Sequence, residues 1–233
     1  MSVPVVEHDF PRREQSAEEL ARAVAADLRE AIDARDVAVL ALSGGTTPAL
    51  FLRRLGEQEL DWSGVIVTLV DERWVPPTHE RSNARVVAEN LLRGPAALAR
   101  FAPLYSTAPD PEHGQPQVAT LVGGLPLPFD AVVLGLGLDG HTASWFPDGD
   151  RLADALDPHG TAPVLPMRAP AAGEPRMTLT LPLLAAARHL YLLIEGVEKQ
   201  ALLKRIVGGD AATSPLRALL ENTRTPLQAY WSA

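Results

Sequence analysis

The chain has 233 residues, 46% of them hydrophobic, a net charge of −8 and no cysteine. That size and apolar content suit one large folded domain over residues 1–233 and exclude a disordered chain. Without cysteine there are no disulfides, no thiolate catalysis and no cysteine zinc site. An acidic chain without a basic tract argues against nucleic acid as a partner. No apolar run reaches the ~20 residues that span a bilayer, so no membrane partner is expected. The polar, charged stretch from Met1 to Gln15 does not read as a signal peptide, and the expected compartment is the cytoplasm.

Val3 to Glu7 is a short β-like run, read as an edge strand. Ser16, with Glu19 three positions on, has the pattern of a capping box. Leu20, Val24, Leu28 and Ile32 then recur every fourth residue, which predicts an amphipathic helix to about Ala34. Val37 to Leu42 predicts a buried strand running into Ser43-Gly44-Gly45-Thr46-Thr47-Pro48. Pro48 suits the first turn of a helix that continues to Leu55. Val65 to Val70 is the next buried strand; it ends in Asp71-Glu72-Arg73-Trp74 and a proline-bearing loop to about Arg81. Ser82 or Asn83 caps a helix through Leu92. Phe101 to Leu104 reads as a short strand, Thr107 to Gln117 as loop and Val118 to Gly123 as a weak helix.

The run from Phe129 to Phe146 changes character halfway. Its first half, with Val132, Val133 and Leu134, is a strand buried on both faces. Its second half is a glycine-rich loop that carries Asp139 and His141. Gly149 to Gly173 reads as an irregular crossing with a short strand at Val164 to Met167. Arg176 to Leu181 alternates polar and apolar, and Leu183 to Arg188 is a short helix. His189 to Ile194 is a buried strand ending in Glu195-Gly196, Val197 to Val207 a helix, and Leu227 to Trp231 the final strand.

Strand and helix alternate along most of this chain. The expected fold is therefore α/β, an open, mostly parallel, Rossmann-like sheet with helices on both faces. Ligands in such sheets sit beyond the carboxyl ends of the strands. The clusters Ser43-Gly44-Gly45, Asp71-Glu72-Arg73, Gly135 to His141 and Glu195 to Lys199 each follow a predicted strand at once.

The Ser43 to Pro48 stretch joins a strand to a helix, where free backbone amides attract anions, so it reads as a phosphate cradle. The plain alternative is a tight turn with hydroxyl caps. It is not a Walker A loop, since no Gly-Lys-Ser/Thr follows, and Ala41 stands where a nucleophile elbow needs glycine. Gly135-Leu-Gly-Leu-Asp-Gly140 formally matches a dinucleotide fingerprint, but Pro147 interrupts the helix that should follow. Asp139 and His141 suit a general base with a carboxylate beside it; the plain alternative is a satisfied loop histidine. No second histidine stands at ligand spacing, so no metal is expected. Arg73, Arg176 and Lys199 are the candidate anion clamps.

Taken in order, SGGTTP, DERWVP with the following Ser82-Asn83, GLGLDGHTASWFP, PRMTLT and the EGVEK that ends at Lys199 resemble the 6-phosphogluconolactonase family over nearly the whole chain. The resemblance implies the fold shared with glucosamine-6-phosphate deaminases and ribose-5-phosphate isomerases. It implies hydrolysis of 6-phospho-D-glucono-1,5-lactone without metal or organic cofactor. His141 is expected to deprotonate water, Asp139 to orient or charge its imidazole, and Arg73 to stabilise the oxyanion. Ser43, Gly44, Gly45, Thr46, Asp71, Arg176 and Lys199 are assigned to phosphate and sugar. The expected partner is the small sugar-phosphate lactone, and the expected state a monomer or weak homo-oligomer. The nearest rival is the deaminase branch, where the histidine is followed by a stretch bearing a catalytic glutamate; Thr142 to Pro147 has none here. A sugar-phosphate sensor is the other alternative, but no DNA-binding helix pair or basic face is evident.

Overall fold

A computed structural model describes residues 3–170, 172–211 and 214–233 of the chain. It opens with strand β1 (Val5–Phe10) and helix α1 (Arg13–Arg35). The spacing of Leu20, Val24 and Leu28 puts all three on the buried stripe of α1. The expected cap at Ser16 is not used. The helix begins at Arg13 with Arg12 as its N-cap, and Ser16 lies buried inside it, its hydroxyl without a partner among the described residues.

Next come β2 (Ala38–Leu42) and α2 (Ala49–Gly56), with Pro48 at the N-cap. Then β3 (Val65–Leu69) leads straight into β4 (Asp71–Arg73). α3 (Asn83–Asn90) starts from Ser82, whose hydroxyl accepts from the Arg85 amide. After β5 (Arg100–Ala102), the expected loop at Thr107 to Gln117 is mostly helix: α4 spans Pro111–Gly123. Asp110 caps it by accepting from the His113 amide at 2.8 Å, and Pro111 occupies its first turn. β6 (Ala131–Leu134), a four-residue α5 (Leu152–Ala155), β7 (Val164–Met167) and β8 (Arg176–Leu179) follow. The chain ends through α6 (Leu181–Ala185), β9 (His189–Glu195), α7 (Val197–Gly208), α8 (Pro215–Asn222) and β10 (Leu227–Ser232). α8 has no counterpart in the expected elements.

Seven strands form one sheet in the order β1-β10-β9-β6-β2-β3-β5, every neighbouring pair parallel. Every residue of β2, β3 and β6 is buried, so both faces of the sheet's centre are covered. Trp62, Trp145, Phe51 and Phe129 are the largest fully buried side chains. From β2 the chain steps outward through β3 and β5. It then returns to the other side of β2 and proceeds through β6, β9 and β10. The order therefore reverses between β2 and β6, and a crevice opens beyond their carboxyl ends.

A second sheet, absent from the expected architecture, packs beside this crevice: antiparallel β4-β8-β7. Val70 joins the two sheets. Its amide donates to Leu42 in the main sheet at 2.9 Å, and its carbonyl accepts from Leu179 at 2.9 Å. Asp71-Glu72-Arg73, expected as the end of the preceding strand, is thus a short strand of its own in the second sheet.

Candidate active site

The crevice holds a cavity of about 360 Å³. On one side lies the turn after β2. The Ser43 amide donates to Val133 at 2.9 Å, and the Ser43 hydroxyl accepts from the Gly135 amide at 3.1 Å, so Ser43 laces the two strands where the order reverses. A side chain at Gly44 would run into Asn83, with a Cβ only 2.0 Å from its Oδ1. Gly45, at φ +96°, turns the chain in a conformation other residues rarely adopt. The run Ser43 to Pro48 lines the cavity up to the start of α2, where helix amides favour an anion.

The loop after β6 is closed by the Gly137 amide on the His141 carbonyl at 2.9 Å and by the Gly140 amide on the Gly137 carbonyl at 3.0 Å. Gly140 has φ +88°, and its carbonyl accepts from the Ser214 hydroxyl at 3.1 Å. The result sets Asp139 Oδ1 2.5 Å from His141 Nδ1. The same oxygen accepts from the His141 amide at 3.2 Å. An ionised carboxylate only accepts, so this contact calls for a proton on Nδ1 and leaves Nε2 as the nitrogen available for proton exchange. The Phe146 ring lies against the imidazole, centroids 4.7 Å apart.

The third wall comes from β4 and β8. Asp71 is buried, accepts from the Ser144 hydroxyl at 2.5 Å, and lies 4.0 Å from Arg176. The Asn83 carboxamide donates to the Asp71 carbonyl at 2.8 Å. Glu72, 1% exposed, accepts from the amides of Arg73 (2.7 Å), Asn83 (2.7 Å) and Ala84 (2.8 Å) and from the Ser82 hydroxyl (3.0 Å). Burial raises its pKa above the ordinary glutamate value, against the pull of those four bonds. Glu72 thereby anchors α3 to β4 beneath the cavity. Arg176 is buried, donates to the carbonyls of Ala172 (2.8 Å) and Glu174 (3.2 Å), and rests over the Phe146 ring. Burial lowers its pKa, with Asp71 opposing.

Arg73 Nη1 donates to the Arg81 carbonyl, while its Nε is buried without a partner among the described residues. Lys199, in the first turn of α7, is half-buried, faces the cavity and forms no ion pair among the described residues. Gly196, at φ +87°, sets the entry to that turn.

Of the expected site residues, Ser43, Gly44, Gly45, Thr46, Asp71, Arg73, His141, Arg176 and Lys199 line this one cavity, and Asp139 stands behind His141. Their clusters follow β9, β6, β2 and β3, four consecutive strands of the sheet. Arg81, Asn83 and Phe146 also line the cavity and were not singled out for the site by sequence. Asn83 had a signal as a helix cap, and Phe146 as the end of the glycine-rich run; Arg81 had none. Among the described residues no three His, Asp or Glu side chains converge to hold a metal, and no helix is long and apolar enough to cross a membrane.

The family described as "Glucosamine-6-phosphate isomerases/6-phosphogluconolactonase" matches residues 11–231. A 6-phosphogluconolactonase of Rhizobium meliloti (strain 1021) is 50% identical over 226 residues, covering 97% of each chain. Another, from Pseudomonas aeruginosa, is 45% identical over 93% of this chain and 90% of its own. The crystal structure of a 6-phosphogluconolactonase from Shewanella baltica superposes with a TM-score of 0.95 at 36% identity, over 100% of both chains. A monomeric glucosamine-6-phosphate deaminase shares the fold, with a TM-score of 0.79 at 17% identity. With motif, fold and near-complete coverage in agreement, the chain belongs to the glucosamine-6-phosphate isomerase/6-phosphogluconolactonase family.

Proposed function

We propose that this cavity hydrolyses 6-phospho-D-glucono-1,5-lactone to 6-phospho-D-gluconate, the lactone-opening step of the oxidative pentose phosphate pathway, with His141 as general base. The observation that carries the mechanism is the Asp139–His141 pair, which leaves Nε2 as the free base at the cavity wall. The identity to relatives named 6-phosphogluconolactonase supports the reaction. Thr142 to Pro147, with no carboxyl group, does not support deamination.

His141 Nε2 takes a proton from water as the water oxygen attacks the lactone carbonyl. The carbonyl electrons move to oxygen, and the Arg73 guanidinium stabilises the charge that develops there. Collapse of the tetrahedral intermediate breaks the ring C–O bond. The imidazolium, stabilised meanwhile by Asp139, returns its proton to the departing ring oxygen, which leaves as a hydroxyl. The amides of Gly44, Gly45 and Thr46, with Lys199, receive the phosphate. Ser43, Asp71 and Arg176 shape the sugar pocket; their polar groups already bond to protein. The same reading takes residues 1–233 as one domain acting in the cytoplasm as a monomer or weak homo-oligomer, with no metal or organic cofactor.

The test is His141→Ala assayed on freshly made lactone, with spontaneous opening subtracted. The kcat should fall by ~10²–10⁴-fold, with KM changed only a few-fold. Turnover near that of the wild type would remove His141 from the mechanism.

A further inference from the structure

Arg81 lies in no motif, yet it lines the cavity. Its Nε is 2.9 Å from Oε1 of Glu174, with the two side chains 49% and 22% exposed. The pair bridges the loop that enters α3 and the loop that enters β8. Both backbones are held from behind. Arg73 donates to the Arg81 carbonyl, and Arg176 donates to the carbonyls of Glu174 and Ala172. Gly173, at φ +75°, turns its backbone against the Arg81 guanidinium: a Cβ there would lie 3.5 Å from Nη2.

The ion pair itself is poorly built. Glu174 Oε2 is buried and finds no partner among the described residues. With Arg81 half exposed, the pair is weak and easily exchanged. A phosphate dianion offers more charge and three oxygens in a geometry that a guanidinium fork matches. Arg81 also stands two residues before Asn83, whose carboxamide lies against Gly44 of the phosphate turn.

We infer that Arg81 is a specificity-determining residue that binds the substrate's phosphate, and that Glu174 is a built-in competitor holding its guanidinium until the phosphate displaces it. The inference rests on the proposed phosphorylated substrate and adds a residue and an exchange to it. Glu174 then sets affinity from inside the protein: it keeps Arg81 paired in the free enzyme and gives way to a stronger anion.

The test is calorimetric titration of 6-phosphogluconate into wild type, Arg81→Gln, Glu174→Gln and the double variant. Arg81→Gln should weaken binding about tenfold or more. Glu174→Gln should tighten it by about two- to fivefold. The double variant should bind as weakly as Arg81→Gln, because Glu174 then has nothing to compete for. Arg81→Gln should also narrow the kcat/KM preference for phosphorylated over unphosphorylated D-glucono-1,5-lactone; a folding defect would lower both together. Wild-type affinity in Arg81→Gln, or affinity in Glu174→Gln at or below wild type, overturns the inference. Wild-type turnover of the lactone is a separate reading, so failure of the proposed reaction is distinguishable from failure of this exchange.

Discussion

Gly137 shows how tightly one residue controls the proposed base. A Cβ at this position would lie 2.2 Å from His141 Nδ1 and 2.5 Å from Asp139 Oδ1. No side chain tolerates such contacts, so the imidazole must swing away and lose the carboxylate. Leu138 and Asp139 at the tip of the loop are exposed, so the tip can give way without unpacking the sheet. Gly137→Ala should therefore lower kcat by ~10²-fold or more while changing unfolding free energy by less than about 1 kcal/mol. Unchanged kcat would show that the pair's geometry is not needed. At this scale much was legible in the sequence, because glycines, an acid and a histidine within seven residues leave a local trace. Arg81 left none. Its position depends on Glu174, almost a hundred residues away, and an arginine before a helix cap is ordinary on any surface.

Among the elements, the hardest to foresee was β4. Three residues are too short to show a period, and its partner is β8, with Asp71 opposite Thr178. Such a pairing is long-range and has no local signature. Reading Asp71-Glu72-Arg73 as the end of the preceding strand also hid the role of Glu72, which reads as one charge in a charged cluster until α3 is seen seated on it. α4 is hard to read for a different reason: it carries Pro116 in its interior, although Asp110-Pro111 is a proper helix start. Glu72 offers a test of how α3 is held. Glu72→Gln replaces one carboxylate oxygen by an amide NH2, which donates and cannot accept from a backbone amide such as that of Ala84, and should cost about 1–3 kcal/mol. The pH dependence has a definite sign. Burial raises the folded-state pKa of Glu72 against the pull of its four hydrogen bonds, so folding favours proton binding at this group relative to the unfolded chain. Its stabilising share is full below the ordinary glutamate value and is lost as pH rises through the raised one. The stability gap between wild type and Glu72→Gln should therefore be wider at ~pH 4 than at ~pH 7 in urea unfolding. A gap that widens towards neutral pH would mean that the four hydrogen bonds outweigh burial.

On the scale of the molecule, the two edges of the main sheet have different work. The carboxyl edge carries the cavity, and its clusters come from adjacent strands on either side of the point between β2 and β6 where the strand order reverses. That edge could be inferred from sequence, since each cluster follows a buried strand. The amino edge carries Asp130, 3% exposed and far along the strands from His141. Its Oδ2 accepts from the Val39 amide at 2.9 Å; its Oδ1 meets Arg35 and lies 3.3 Å from Arg188. Its backbone bonds to Val39 on one side and His189 on the other. Asp130 thus laces β2, β6 and β9 at the end where no ligand is expected. Asp130→Ala would strand the Val39 amide inside the protein. The two arginines are each about half exposed, at 40% and 46%, and add little to that loss. The expected cost is about 2–3 kcal/mol, which for a chain of this size lowers Tm by roughly 4–12 °C. Turnover and KM on the lactone should stay at wild-type values below the melting range, because the cavity is built from the opposite strand ends. A change in KM without a loss of Tm would contradict that division between the edges.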